Sequence, residues 1–233
     1  MTQHLVLLPG LDGTGQLFAD LLAALPKSFT ATVVAYPTDE SLSYSELLSL
    51  VSAAVPKVEP FVLLAESFST PIALKYAASN PSNLEAVIIS TGFAFNPIGG
   101  WSRLANAIAQ PWFFKLGTPR WLLEYALIGP AAAPALIHRF RQVLRLVSPA
   151  VLSGRVKEAL IYDSRSELAR ITAPILYVQA ERDRVLSKSC VREMKRMRPD
   201  ISFALVEGPH LLLQREPQKV ADIVSKFVQD LGR

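Results

Sequence analysis

Residues 61–74, FVLLAESFSTPIAL, decide how this chain reads: an apolar run stops at a turn of small residues, and a helix-forming run begins at once. A serine on so tight a strand-to-helix turn, Ser67, is lifted clear of a sheet. Its hydroxyl meets the first N–H groups of the following helix, where negative charge is favoured. The turn needs small residues two places before and two places after the serine, because a bulky Cβ would collide with the neighbouring strand or helix. Ala65 and Ser69 occupy those places, so the pattern is A-x-S-x-S. Short serine turns are common, and this one gains its meaning from two residues much later in the chain.

Asp183, in PILYVQAERDRVLS, stands just past the apolar run 175–179; His210, in VEGPHLLLQREP, follows the run 203–206 through a Gly208-Pro209 turn. Strand ends of one parallel sheet open on the same side, so these side chains can converge although 116 and 27 residues separate them. Acyl transfer needs that grouping: the imidazole takes the serine proton as the hydroxyl attacks a carbonyl, and the carboxylate fixes the imidazole tautomer. The fourth apolar run ends in IISTGF and offers no alternative acid; the competing reading of Asp183 is a surface acid paired with Arg182 or Arg184. Oxyanion donors are expected from the backbone amides of Leu11, after a sharp turn at Gly10, and of Phe68. Gly10, Gly13 and Gly15 do not make a phosphate cradle. Their spacing is not G-x-G-x-x-G, no Walker lysine follows, and no acid ends TVVAYP.

In these motifs the chain resembles the α/β-hydrolase family over roughly residues 1–92 and 166–233. The P-G turn after the first strand, the serine elbow, the acid after the penultimate strand and G-x-H after the last carry the likeness. It departs from the pattern at Pro9, where many members have histidine, and at both elbow glycines. LPGLDGTG together with AESFS also looks like a bacterial group related to plastid esterases and acyltransferases. The resemblance implies carboxylesterase activity on short or medium acyl chains without a cofactor. Alternatives are thioesterase or acyltransferase chemistry on a carrier-linked acyl group, and a ligand-binding module with little turnover.

Apolar runs predict strands near 3–8, 31–36, 61–65, 85–90, 174–180 and 201–206, and helical patterns fall at 16–25, 43–55, 70–79, 188–197 and 217–230. Continuous rather than alternating runs mark strands buried on both faces, and the helices supply right-handed crossovers. The fold expected is α/β: a six-stranded, mostly parallel sheet of order 2-1-3-4-5-6 with its ligand crevice at the carboxyl ends. The chain reads as a single α/β-hydrolase domain over 1–233 with a helical cap inserted at 93–165. That cap carries Trp101, Trp112, Phe113, Phe114, Trp121 and Tyr125, some of which are expected to line an apolar pocket over Ser67.

With 233 residues, half of them apolar, the chain suits one such domain. The formal charge of +4 hides an excess in the cap, which holds nine Lys or Arg against three Asp or Glu. Such a lid can steer an anionic partner: an acidic carrier such as an acyl carrier protein, a coenzyme A thioester or an acidic membrane surface. The simpler reading is a solvated helical face, since Arg139, Arg141 and Arg145 follow helix spacing only in part. No aromatic interleaving points to nucleic acid. The longest apolar region, WLLEYALIGPAAAPALI, is broken by Glu124, Pro130 and Pro134, against a membrane span. Cys190 is the sole cysteine, and MTQHLVLLPG has no basic start, so a cytoplasmic place is expected. No His, Asp and Cys cluster has metal-ligand spacing. His4 and His138 read as surface or packing residues, and Glu66 as a residue pointing away into structural hydrogen bonds or an ion pair.

Overall fold

In the computed structural model, which describes residues 2–99, 107, 109–115 and 119–232, six strands form one sheet. They are β1 (Gln3–Leu8), β2 (Phe29–Val33), β3 (Phe61–Glu66), β4 (Leu84–Ser90), β5 (Ile175–Ala180) and β6 (Ser202–Val206), all pairing in parallel in the order β2-β1-β3-β4-β5-β6. This is the sheet the apolar runs predict.

The period-2 rule explains why those runs are unbroken. On one face Val6, Leu8, Leu63, Ala65, Val87, Ile89 and Tyr177 join a core under α2 (Tyr44–Ala54), α3 (Thr70–Ala77) and α9 (Lys188–Met197). On the other face Leu5, Leu7, Val62, Leu64, Ile88 and Val178 pack under α1 (Ala19–Ala24) and α11 (Pro217–Leu231). Every residue of β3 from Phe61 to Ala65 is fully buried, so both parities must be apolar. Helix starts follow local chemistry. Ser43 and Glu46 form a reciprocal capping box at α2, and prolines stand in the first turns of α3 and α11.

The second strand runs two residues earlier than its apolar stretch implies. After Val33 the chain leaves the ladder: Val34 N–H still donates to Leu7 O (3.0 Å), but Tyr36 N–H donates to Gly13 O (2.7 Å). Val34 and Tyr36 are buried against loop and helix, not as strand residues, so their apolar character misplaces the strand end.

Between β4 and β5 the described residues form α4 (Pro111–Lys115), α5 (Arg120–Leu123) running into a wider turn at Glu124–Ile128, α6 (Pro134–Arg145), α7 (Pro149–Ile161) and α8 (Arg165–Arg170). Leu123, Ile128, Leu136, Phe140 and Val143 pack with Leu17 and Leu211, two residues just beyond the β1 and β6 ends. The inserted helices therefore lie over the carboxyl edge of the sheet. A short α10 (Leu212–Arg215) follows β6.

Candidate active site

The local backbone at Ser67 is unlike that of its neighbours: φ is +45°, a left-handed value rare for a residue with a Cβ. β3 ends at Glu66, a single 3-10 turn covers Ser67–Ser69, and α3 begins at Thr70. The side chain is thereby thrust out of the sheet, half-buried, above the first turn of the helix. Ser69 does more than stay small. Its hydroxyl donates to Pro9 O, which leaves Tyr36 OH to donate to Ser69 Oγ (2.7 Å), so the elbow is tied to the loop after β1.

Ser67 Oγ lies 2.9 Å from His210 Nε2, and His210 Nδ1 lies 2.8 Å from Asp183 Oδ2. With the ring proton on Nδ1 facing the carboxylate, Nε2 carries the lone pair that accepts from the serine. Asp183 also accepts from the N–H groups of Val185 (2.8 Å) and Leu186 (3.0 Å). Burial raises the pKa of such a carboxyl, but here His210 and the two amides outweigh it and hold the group below its ordinary value. Neither neighbouring arginine takes it: Arg182 pairs with Glu207 (2.9 Å), and Arg184 reaches the ring and carbonyl of Tyr125. The three residues named from the sequence thus meet, and the surface-acid reading of Asp183 does not hold.

The loop after β1 turns tightly from Gly10, through Leu11 and Asp12 to Gly13. Left-handed φ falls at Gly13 (+71°) and Gly15 (+72°), and the Gly13 N–H donates to Gly10 O (3.0 Å). That bond fixes the peptide plane that carries the Leu11 N–H. Leu11 and Ser67 line one cavity, and Phe68 stands in the turn directly after the serine.

Two residues that sequence reasoning missed or underrated hold this loop. Arg155, on α7 and only 2% exposed, donates to the carbonyls of Leu11 (2.9 Å), Asp12 (2.7 Å) and Pro37 (2.8 Å). Its guanidinium also lies over the Tyr36 ring at 5.7 Å. A Cβ at position 13 would stand 2.3 Å from it, so Gly13 is required twice over. Glu66 is the second. It does not point away: its side chain lines the cavity, accepting from the Gly10 N–H and from Gln214 Nε2 (3.0 Å) with no cation as partner. Burial, aided by the nearby Asp12 charge, pushes its pKa up to about 7, and the hydrogen bonds and His210 offset only part of this. The sequence does contain a signal for Arg155. In PAVLSGRVKEALI it falls on the stripe of Val151, Leu152 and Ala159, the buried face of the helix.

The cavity over Ser67 holds about 320 Å³ and is walled mainly by Leu, Phe and Ala, with Asp12, Glu66, Ser67 and His210 as its ionisable or hydroxyl side chains. Of the aromatic residues expected there, Phe113 and Phe114 contribute to the wall. Trp112, Trp121 and Tyr125 are exposed instead, and Trp101 lies outside the described residues. The rest of the apolar wall comes from Phe140 and from leucines of α5, α6, α7 and the loops that follow β1 and β6. His4 bonds Thr30 and Thr32 at the opposite edge of the sheet, and His138 is exposed on α6. Among the described residues no group of three or more His, Cys, Asp or Glu side chains could hold a metal ion. No described helix is long and apolar enough to cross a membrane.

The profile of the alpha/beta hydrolase family matches residues 5–223. The chain belongs to this family. As an α/β hydrolase it is similar in fold to a hydrolase from Oleispira antarctica, with a TM-score of 0.83 at 17% identity over 98% of this chain and 92% of that one. It is likewise similar to the enol-lactonase of Burkholderia xenovorans LB400 (TM-score 0.82, 15% identity, 98% and 92% covered). A third similar structure comes from work on carboxylesterases of Nitrososphaera gargenis (TM-score 0.78, 17% identity, 99% and 91% covered). At such identities these neighbours speak for the architecture alone. No curated protein matches the sequence.

Proposed function

We propose that this α/β hydrolase is a serine esterase that cleaves carboxylic esters through an acyl-enzyme. Ser67 attacks the ester carbonyl while His210 Nε2 takes its proton, and the resulting imidazolium is stabilised by Asp183. The oxyanion forms between the amides of Leu11 and Phe68. His210 then protonates the leaving alcohol, and a water deprotonated by the same nitrogen attacks the acyl-enzyme. The observation that carries this reading is the unbroken line from Ser67 Oγ through both ring nitrogens to Asp183, at 2.9 and 2.8 Å, on the floor of an apolar cavity. About 320 Å³ is at the small end of small-molecule sites, which suits short to medium acyl chains. The helices over the sheet serve as the cap that shields the acyl-enzyme. The buried Cys190, whose thiol burial pushes up to about 11, fits a reducing cytoplasmic setting and no nucleophilic role.

A fluorophosphonate probe tests the nucleophile and p-nitrophenyl butyrate the reaction. The expected result is an adduct on Ser67 and a burst of p-nitrophenol that Ser67→Ala abolishes. Labelling elsewhere, or equal turnover by Ser67→Ala, overturns the proposal.

A further inference from the structure

The ester site has a larger neighbour. A recess of about 610 Å³ adjoins the cavity over Ser67, and Phe114, Leu123, Leu144 and Leu152 line both. The two spaces differ in charge. The recess adds Lys115, Arg141 and Arg145 to the shared apolar wall, and among the described residues no Asp or Glu lines it. Arg141 and Arg145 are one helical turn apart on α6 and face the same way, with Leu144 on the common wall.

Several cations elsewhere on the inserted helices have partners outside the recess. Arg120 pairs with Glu124, Arg139 with Asp20 and Arg165 with Asp163, while Arg155 is buried on backbone carbonyls. Lys115 and Arg145 are exposed and enter no ion pair among the described residues. Like charges gathered on one concave wall repel one another, and an anion placed between them relieves that cost. A patch that merely solubilises the surface has no need to share four apolar wall residues with the chamber that holds the nucleophile.

We propose that this recess is a binding subsite for an anionic group, a carboxylate or phosphate, joined by an apolar segment to the ester held at Ser67. The inference rests on the esterase reading and narrows its substrate class to amphipathic anionic esters or thioesters. The apolar segment lies along Phe114, Leu123, Leu144 and Leu152, and the anion is met by Lys115, Arg141 and Arg145. Two substrate designs satisfy this chemistry: an acyl chain ending in carboxylate, or a leaving group bearing phosphates.

The test compares kcat/KM at low ionic strength for p-nitrophenyl hexanoate, mono-p-nitrophenyl suberate and hexanoyl coenzyme A, in wild type and in Lys115→Gln/Arg145→Gln. For at least one anionic substrate the preference over the neutral ester should fall about tenfold in the double variant, and added salt should reduce it in wild type. Arg145→Lys, which retains the charge, should keep most of the preference. The substrate that responds tells which side of the ester enters the recess. A preference that is the same in wild type and double variant for both anionic substrates overturns the subsite. Titration calorimetry with octyl phosphate on Ser67→Ala protein separates this outcome from a failure of the esterase reading. Binding about tenfold weaker in the background of the double variant supports the subsite even if no ester is turned over, and equal binding in both rejects it.

Discussion

The two halves of the site are stabilised by opposite means. On the β5–β6 side Asp183 sits among one imidazole and two amide donors, and its carboxyl is held below the ordinary range. On the β1–β3 side Glu66 is buried deeper still but accepts from only one amide and one glutamine, and its carboxyl rises to about 7. Charge balance is again opposite for the cation nearby: Arg155 takes no carboxylate as partner and is satisfied by three carbonyls. Burial alone therefore does not fix the ionisation of a group. The donors within reach decide how much of the burial effect is offset, and the side that the proposed mechanism requires to be charged is the side supplied with more of them.

The most severe way to break this contrast is Asp183→Asn, which removes the charge and leaves the shape. A loss of about 10⁴-fold in kcat is expected, read in steady-state ester hydrolysis, with melting temperature as the control for folding. Removing the cation of the other half comes next. Arg155→Met strands three buried carbonyls and should cost about 3 kcal/mol of stability, measured by urea unfolding, with kcat falling more than KM changes because the Leu11 amide loses its support.

Glu66→Gln sharpens the comparison by its sign. A carboxyl whose pKa is raised on folding contributes stability that is present below its unfolded value, near 4.5, and lost as pH rises through about 7. Relative to wild type the glutamine variant should therefore gain about 3 kcal/mol between pH 4.5 and pH 8, seen as a change in the difference between their urea midpoints. A constant difference across that range would remove the raised pKa. The smallest effect is expected at Tyr36→Phe. It deletes the donor to Ser69 and should lower stability by about 1 kcal/mol with little change in kcat.

Much of this arrangement can be read from residue order, and the reason is physical. Strands buried on both faces have to be apolar throughout, so β1, β3, β4 and β5 announce themselves, and their parallel ends fix where Ser67, Asp183 and His210 meet. Where apolar residues are buried for another reason the reading slips, as at Val34 and Tyr36, which pack beyond the end of β2. The turn after β1 shows a related limit: the turn at Gly10 is legible, but not that Gly13 has no room for a Cβ, because Arg155 arrives there from 142 residues downstream. An arginine inside a helix reads as solvated until its place on the buried stripe is noticed. Glu66 was visible as a charged residue closing a wholly buried strand, yet nothing in the sequence tells which amide and which glutamine it accepts from. Aromatic content misleads in the inserted helices, where Trp112, Trp121 and Tyr125 face solvent and leucines wall the chamber.

The three carbonyl bonds of Arg155 also set a limit on modularity. Because α7 belongs to the insertion while Leu11, Asp12 and Pro37 belong to the sheet's own loops, the roof cannot be exchanged as an independent part. A grafted insertion that lacked an arginine at this place would leave the floor of the chamber unfinished, so swaps that aim to alter substrate range need to stop before α7.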